Sequence, residues 1–442
     1  MKNSFYLVSL GCAKNTVDSE SMATVLLRAG FTAVEQPSKA EFLIVNTCGF
    51  IESARLESIS VLEELAVGKK KSQYLIAAGC MTERHRVSII ENVRGIDGII
   101  GTKRWMDILD VVKKTRSGVE AQPYEHFPDC VSVGTDEGQI PRFAIQGGSA
   151  YLKIADGCRR PCAFCSIPLI KGPTVSRPMA TILQEAKTLA RNGIQEIILI
   201  SQDTTGYGSD IGLKNGLAAL LSKLTLEVPE VPWIRFLYTF PGYINDSLIE
   251  LMAQSRQILH YLDIPLQHAH PQVLRRMRRP SNMDWTYRTI EKMRQAIPDL
   301  AIRSTFIVGY PGETDQEFQT LLDFIQEVQL DHVGCFMYSH EEGTRSASLE
   351  DDVPLPLKQE RLEQLMLVQQ DISLSHNQKL IGKTLPVIIE GMDKGIVIGR
   401  SYRDAPEIDG LVFAEGQAEI GSIVPVRING AMPHDLMGVV VK

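Results

Sequence analysis

A chain of 442 residues exceeds what one hydrophobic core organises, so two or three domains are expected, and the patterning supports three. With 44% hydrophobic and 22% charged residues it has a globular composition, and no stretch approaches the roughly 18 apolar residues that a bilayer-spanning helix needs, which excludes a membrane protein. The net charge of -7 disfavours non-specific attraction to nucleic acid, and eight cysteines without a signal-peptide pattern point to a cytoplasmic protein with metal or redox chemistry, not to a disulfide framework.

From the N-terminus, the apolar runs FYLVSLGC, EFLIVNTC and YLIAAGC read as short strands that close on Cys12, Cys48 and Cys80. The helical patterns SESMATVLLRAG and ESARLESISVLEELAVGKKK lie between them, and this alternation predicts an open parallel α/β sheet over residues 1–130. Parallel strands place their carboxyl ends on one edge, where ligands bind, so thiols 36 and 32 positions apart can converge. A free cysteine is most often a small buried hydrophobe. Three in equivalent positions point instead to a metal site. Asn15, Asp18 and Glu20 are expected to cap the following helix, with no chemistry assigned. Cys130, in the connector QPYEHFPDC, reads as incidental, and Cys335, in DHVGCFMY, as core.

The middle segment, 140–372, alternates six strand-like runs with helices, the pattern of a partial or complete β/α barrel whose working face is at the strands' carboxyl ends. After its first strand comes DGCRRPCAFC, which spaces Cys158, Cys162 and Cys165 as CxxxCxxC, with Gly157 before them and Phe164 inside. Three thiols can hold a 4Fe-4S cluster by three irons and leave the fourth open for a small ligand. A zinc site completed elsewhere, or chance clustering, are the alternatives. Polar residues end the later strands: Gln202 and Asp203, Gln267 and His268, Arg303 and Ser304 within the next, then Gly309 and Glu313 in GYPGE. The last motif is also a turn signal before a helix starting at Thr314. His260, His268 and His270 read as hydrogen-bonded structure. Arg275, Arg276, Arg278 and Arg279 form the strongest basic run, either facing RNA or the ribosome or forming the solvated face of a short helix, the better of the two readings.

After a charged helical stretch, residues 375–442 show five short strands separated by glycines, a small antiparallel barrel. Seven Lys and Arg against eight Asp and Glu make it no evident polyanion binder, and no aromatics line a strand for base stacking.

The CxxxCxxC spacing with its embedded aromatic resembles the radical S-adenosylmethionine (SAM) superfamily, and the last segment resembles the TRAM domain. The order of the three modules, over essentially the whole chain, resembles the methylthiotransferase family of radical SAM enzymes. Within it, SLGCAKNTVDSE, NTCGFIESA, CAFCSIPLIKGPTVSRP and YSHEEGTRSA resemble the branch that methylthiolates the β-carbon of an aspartate in ribosomal protein twelve of the small subunit. The tRNA-modifying branch tends to show GCQMN at the first cysteine and PRPGT where this chain has Glu341, Glu342, Gly343 and Thr344; the acidic pair suits a basic protein partner.

The resemblance implies two 4Fe-4S clusters. The catalytic one is held by Cys158, Cys162 and Cys165 and cleaves SAM to a radical that abstracts the β-hydrogen. The other, on Cys12, Cys48 and Cys80, holds the methylated sulfur. The implied SAM contacts are Phe164, Gln202, Asp203, Arg303, Ser304, Gly309 and Glu313. An electron donor such as flavodoxin or ferredoxin and a monomeric state are expected. Methylthiolation of a tRNA adenosine, and a non-catalytic iron-sulfur ribosome-binding factor, are the rival functions.

Overall fold

The computed structural model describes residues 2–118 and 123–441; Gln122 of the connector and Lys442, counted in the terminal charge, lie outside them. The N-terminal sheet has six strands, all parallel, in the spatial order Thr32–Ala33, Ser4–Ser9, Phe42–Thr47, Tyr74–Gly79, Gly98–Gly101, Tyr124–His126. FLIVNT is buried at every position, as a parallel strand covered on both faces must be. Phe42, Ile44 and Ile76 pack with Leu26 and Val111 in one apolar layer, while Leu43, Val45 and Leu75 pack with Leu62 and Ile89 in another.

The helices Ala13–Arg28, Glu52–Gly68 and Cys80–Asn92 follow three of these strands, which end at Ser9, Thr47 and Gly79, so Cys12, Cys48 and Cys80 lie just past the strands and not within them as expected. Cys12 is itself the N-cap residue of the first helix, and Cys80 opens the third. The expectation that Asn15, Asp18 and Glu20 cap the helix is therefore corrected: all three lie inside it, Asn15 and Asp18 buried and Glu20 exposed.

Six parallel strands form the partial barrel: Ser149–Lys153, Glu196–Ile200, Trp233–Phe236, Tyr261–Asp263, Ala301–Val308 and His332–Met337. They divide into two sheets that meet at a bridge between Ile234 and Ile258. An antiparallel strand absent from the sequence reading, Phe143–Gln146, extends the first sheet, and the helix Ala13–Arg28 packs against it and against Ser149–Lys153. An apolar cluster containing Ala13 and Val17, Tyr151 and Ile198, and Ile388 and Ala405 draws on all three parts of the chain. The turn reading of GYPGET holds: Thr314 and Glu317 form a reciprocal cap on the helix Asp315–Val328.

The last segment closes into a five-stranded barrel. It departs from the expected antiparallel pattern at one pair, Val412–Glu415 with Leu436–Val440, which runs parallel. Part of its charge is turned inward, while Lys383, Glu415, Glu419 and Arg427 stay exposed. Arg400 pairs with Glu196 and Glu390, Arg403 with Asp331, and Asp409 with Arg303. No helix among the described residues is long and apolar enough to cross a membrane.

Candidate active site

All six thiols singled out above border one cavity of about 420 Å³. Cys12, Cys48 and Cys80 reach it from the carboxyl edge of the N-terminal sheet, and Cys158, Cys162 and Cys165 from the loop after the first barrel strand. Phe164, Gln202 and Asp203 line it as well, with Tyr238, Phe240, Gln267 and Phe336.

The strand-end triad converges because the backbone there is unusual. Gly11 and Gly79, each preceding a cysteine, have φ of 89° and 102°, a region closed to most side chains. A Cβ on Gly11 would lie 2.8 Å from the sulfur of Cys48, and one on Gly79 would lie 2.3 Å from the side-chain oxygen of Asn46. Asn15 then ties the strand ends together. Its Nδ2 donates to the carbonyls of Leu10 at 2.7 Å, Asn46 at 3.1 Å and Thr47 at 3.3 Å, and its Oδ1 stands 3.9 Å from the Cys80 thiol. Asn46 returns the bond to the Asn15 carbonyl at 3.0 Å. Sequence reasoning missed this role, although a glycine beside each of the three cysteines was the available signal.

Beneath Cys80 lies a buried ionic network. Lys171 donates to Asp18 at 2.8 Å and to Thr102 at 2.7 Å; Asp18 also takes Arg142 at 2.9 Å and Lys153, while Asp156 binds Arg142 at 2.6 Å. These side chains are at most 2% exposed, so the pairing is what makes burial of the charges tolerable. Burial alone would raise Asp18, but Lys153, Lys171 and Arg142 outweigh it and hold the carboxyl far below its ordinary value.

The loop triad is assembled locally. Cys165 N–H donates to the Cys162 carbonyl, and Arg160 N–H donates to the Cys158 sulfur at 3.4 Å. Arg279 brings its guanidinium to 3.6 Å from the Cys162 sulfur and also donates to the Pro265 carbonyl. The solvated-face reading of the arginine run holds for the exposed Arg275 and Arg278 and fails at Arg279, which is buried in the cavity wall; Arg276, at the carboxyl end of the helix Pro271–Arg276, is partly exposed and pairs with Glu317 at 2.9 Å. Burial pushes Cys165 and Cys80 up to about 12 and Cys158 to about 11. Cys12 is lowered: burial would raise it, but the charge of Lys14 and the backbone N–H groups of Asn15 and Lys14 together prevail.

The remaining expected SAM contacts do not border the cavity. Arg303 joins Asp263 at 3.2 Å to Asp409 at 3.2 Å. Ser304 donates to the Ile264 carbonyl at 2.9 Å and accepts from Leu266 N–H. Glu313 accepts from the Gly309 N–H and from Arg361, and meets His268 at 3.2 Å; the Lys358 stem packs against Gly309. Glu341 is also turned inward, buried and paired with Arg55 at 2.6 Å and Arg84 at 2.8 Å, so of the acidic pair only Glu342 faces solvent. Cys130 borders a separate cavity with Arg84 and Lys103, and Cys335 packs against the barrel core.

The donor set suits iron-sulfur clusters. The thiols are free, and four cations, Lys14, Arg160, Lys171 and Arg279, line the cavity. Among the described residues no three His, Cys, Asp or Glu close around a single metal ion; a cluster spreads its irons and takes thiols that stand apart. The buried Oε1 of Gln202 has no hydrogen-bond partner among the described residues, an acceptor left open at the cavity wall.

Sequence comparison matches residues 152–325 to the radical SAM superfamily, 4–101 to the uncharacterized protein family UPF0004 and 381–441 to the TRAM domain. A "Ribosomal protein uS12 methylthiotransferase RimO" from Chloroflexus aurantiacus is 47% identical over 98% of this chain and 99% of its own length. The chain belongs to the RimO family of methylthiotransferases. Another RimO, from a Thermoanaerobacter species, is 41% identical over 98% of both chains. Among solved structures, the radical SAM methyltransferase TsrM from Kitasatospora setae, with cobalamin and a [4Fe-4S] cluster bound, superposes with a TM-score of 0.56 at 13% identity, covering 90% of this chain and 80% of its own. That likeness extends the fold beyond the barrel. As a member of the RimO family the chain is a transferase of the radical SAM type, which uses SAM and 4Fe-4S clusters.

Proposed function

We propose that this chain adds a methylthio group to the β-carbon of an aspartate in ribosomal protein uS12, the substrate in the printed names of its relatives. One observation carries the reading: two cysteine triads from different domains open onto one cavity, so a single substrate side chain can meet both. The β-carbon bears an unactivated C–H bond, which no acid, base or thiolate breaks usefully at neutral pH. When bound, a cluster on Cys158, Cys162 and Cys165 supplies a SAM-derived radical, and one on Cys12, Cys48 and Cys80 the methylated sulfur.

The chain's own residues bind, orient and exclude water. Phe164 and Phe240 keep the cavity apolar. Gln202 offers its open acceptor to the SAM amino group. Asp203, held by Arg160, by Thr205 at 2.5 Å and by Gly206 N–H at 3.1 Å, presents a fixed edge to SAM. Arg303, Ser304, Gly309 and Glu313 serve SAM from behind, by setting the strand ends that carry the contacts.

The cysteine loop borders a second cavity of about 540 Å³ with the exposed Arg159 and Arg345, a basic face suited to an acidic electron carrier such as flavodoxin or ferredoxin. The chain works as a cytoplasmic monomer. Anaerobic turnover with SAM and a strong reductant, offering uS12 and bulk tRNA in parallel, tests the reading by mass spectrometry. A methylthio group on the uS12 aspartate is expected; modification of tRNA alone would reject it.

A further inference from the structure

The substrate proposed above carries its negative charge one bond from the carbon that reacts. Bringing an aspartate β-carbon between the two triads takes its carboxylate out of water, which is severely unfavourable unless a cation meets it. Lys14, Arg160, Lys171 and Arg279 line the cavity. Three of the four are engaged: Arg160 by Asp203, Lys171 by Asp18 and Thr102, and Arg279 by the Pro265 carbonyl and the Cys162 sulfur.

Lys14 pairs with no carboxylate among the described residues. Its ammonium rests on the ring of Tyr238, 3.1 Å from the centroid. Tyr238 has φ of 63°, a conformation that costs energy for a side chain of this size and persists only where its surroundings enforce it. They do: its N–H donates to Asp263 at 2.9 Å, and Arg303 holds Asp263 in turn. A strained backbone at the end of a barrel strand therefore presents an aromatic face to an ammonium carried by the N-terminal helix. Lys14 lies two residues after Cys12 and lines the same cavity as Cys158, Cys162 and Cys165.

We propose that Lys14 is the counter-ion of the substrate carboxylate and the residue that makes this site select an acidic side chain over its neutral amide. The inference rests on the function proposed above and names the group that recognises that substrate. An aromatic face holds an ammonium by a weaker bond than a carboxylate forms, so Lys14 gains by turning to the substrate, whereas each of the other cations would have to give up an existing partner. The competing use of Lys14 is to offset thiolate charge at Cys12. That use would show in iron binding whatever the substrate.

The test uses the iron-reconstituted full chain as wild type, Lys14→Met and Lys14→Arg, with uS12 and a uS12 variant bearing Asn in place of the target aspartate. Binding is measured anaerobically by fluorescence anisotropy beside methylthio product, iron content and the cluster electron paramagnetic resonance spectrum. Wild type is expected to bind the aspartate form about 10- to 100-fold more tightly than the Asn form. Lys14→Met should erase that ratio by weakening the aspartate form alone, Lys14→Arg should keep part of it, and iron content should be equal in all three. Equal weakening toward both forms, or loss of iron in Lys14→Met, overturns the inference. Wild type that modifies the aspartate form while Lys14→Met retains full discrimination removes the inference and leaves the function standing. Wild type that neither binds nor modifies uS12 removes the function and the inference with it.

Discussion

The two cysteine triads reach the same cavity by opposite routes. Cys158, Cys162 and Cys165 come from one eight-residue loop and are neighbours by sequence, Cys165 N–H donating to the Cys162 carbonyl, although Cys158 N–H, Ala163 N–H and the Cys162 sulfur also bond to Gly172, Met277 and Arg279 outside it. Cys12, Cys48 and Cys80 come from three strands and exist as a group only once the sheet has formed, Gly11 and Gly79 have taken left-handed φ and Asn15 has tied the strand ends. A local site tolerates disturbance of the fold around it; an assembled site inherits every weakness of its scaffold.

The largest effect should come from removing one thiol on each side. Cys162→Ala is expected to abolish SAM cleavage, and Cys48→Ala to leave cleavage in place while eliminating methylthio product; deoxyadenosine and methylthio analysis by mass spectrometry separates them. Each should bind about four irons against about eight in wild type. Equal loss of cleavage in both folded variants would erase the division of labour.

Gly79→Ala comes next. Its Cβ would collide with Asn46 and Thr47 at a φ of 102°, so the assembled triad should lose its iron, while the loop triad keeps its own and still cleaves SAM. Retention of all iron would mean that the strand ends are more pliable than their close approach implies.

Asn15→Ala removes the donor shared by three strand-end carbonyls, two of them buried, and is expected to cost about 1–3 kcal/mol, seen as a lower denaturation midpoint. No change in midpoint would show that water replaces the side chain and that Asn15 is not the tie.

The smallest effect is the response to acid. Asp18 is held below its ordinary pKa in the folded chain, so its stabilising contribution is complete above the unfolded carboxylate value of about 4 and is lost as pH falls through that range toward the folded value. Thermal unfolding of the iron-free chain should drop between pH 7 and pH 3, and the drop should shrink in Asp18→Asn. An unchanged pH profile in the variant would place the acid sensitivity elsewhere, Asp156 being the nearest depressed carboxylate.

Much of the fold was legible because it rests on periodicity. FLIVNT is fully buried and parallel, as its unbroken apolar run requires, and the GYPGET turn caps its helix as its residues dictate. Three of the misreadings share one cause. Asp18, Arg279 and Glu341 carry ordinary surface residue types, yet each is buried against a partner more than 100 positions away: Lys153, Cys162 and Arg55. No local pattern records such a pairing, because the energy that permits the burial comes from the distant partner.

By itself the sequence determined the α/β architecture, the closing barrel and the identity of six thiols, since hydrophobic periodicity and cysteine spacing act over a few residues. Only the tertiary structure decided that the two triads share one cavity, that Lys14 meets no carboxylate there among the described residues, and that Arg303 and Glu313 stand behind the wall instead of in it. Those are facts of three-dimensional proximity, and they follow from how sheet, barrel and terminal module pack around the shared core of Val17, Ile198 and Ile388.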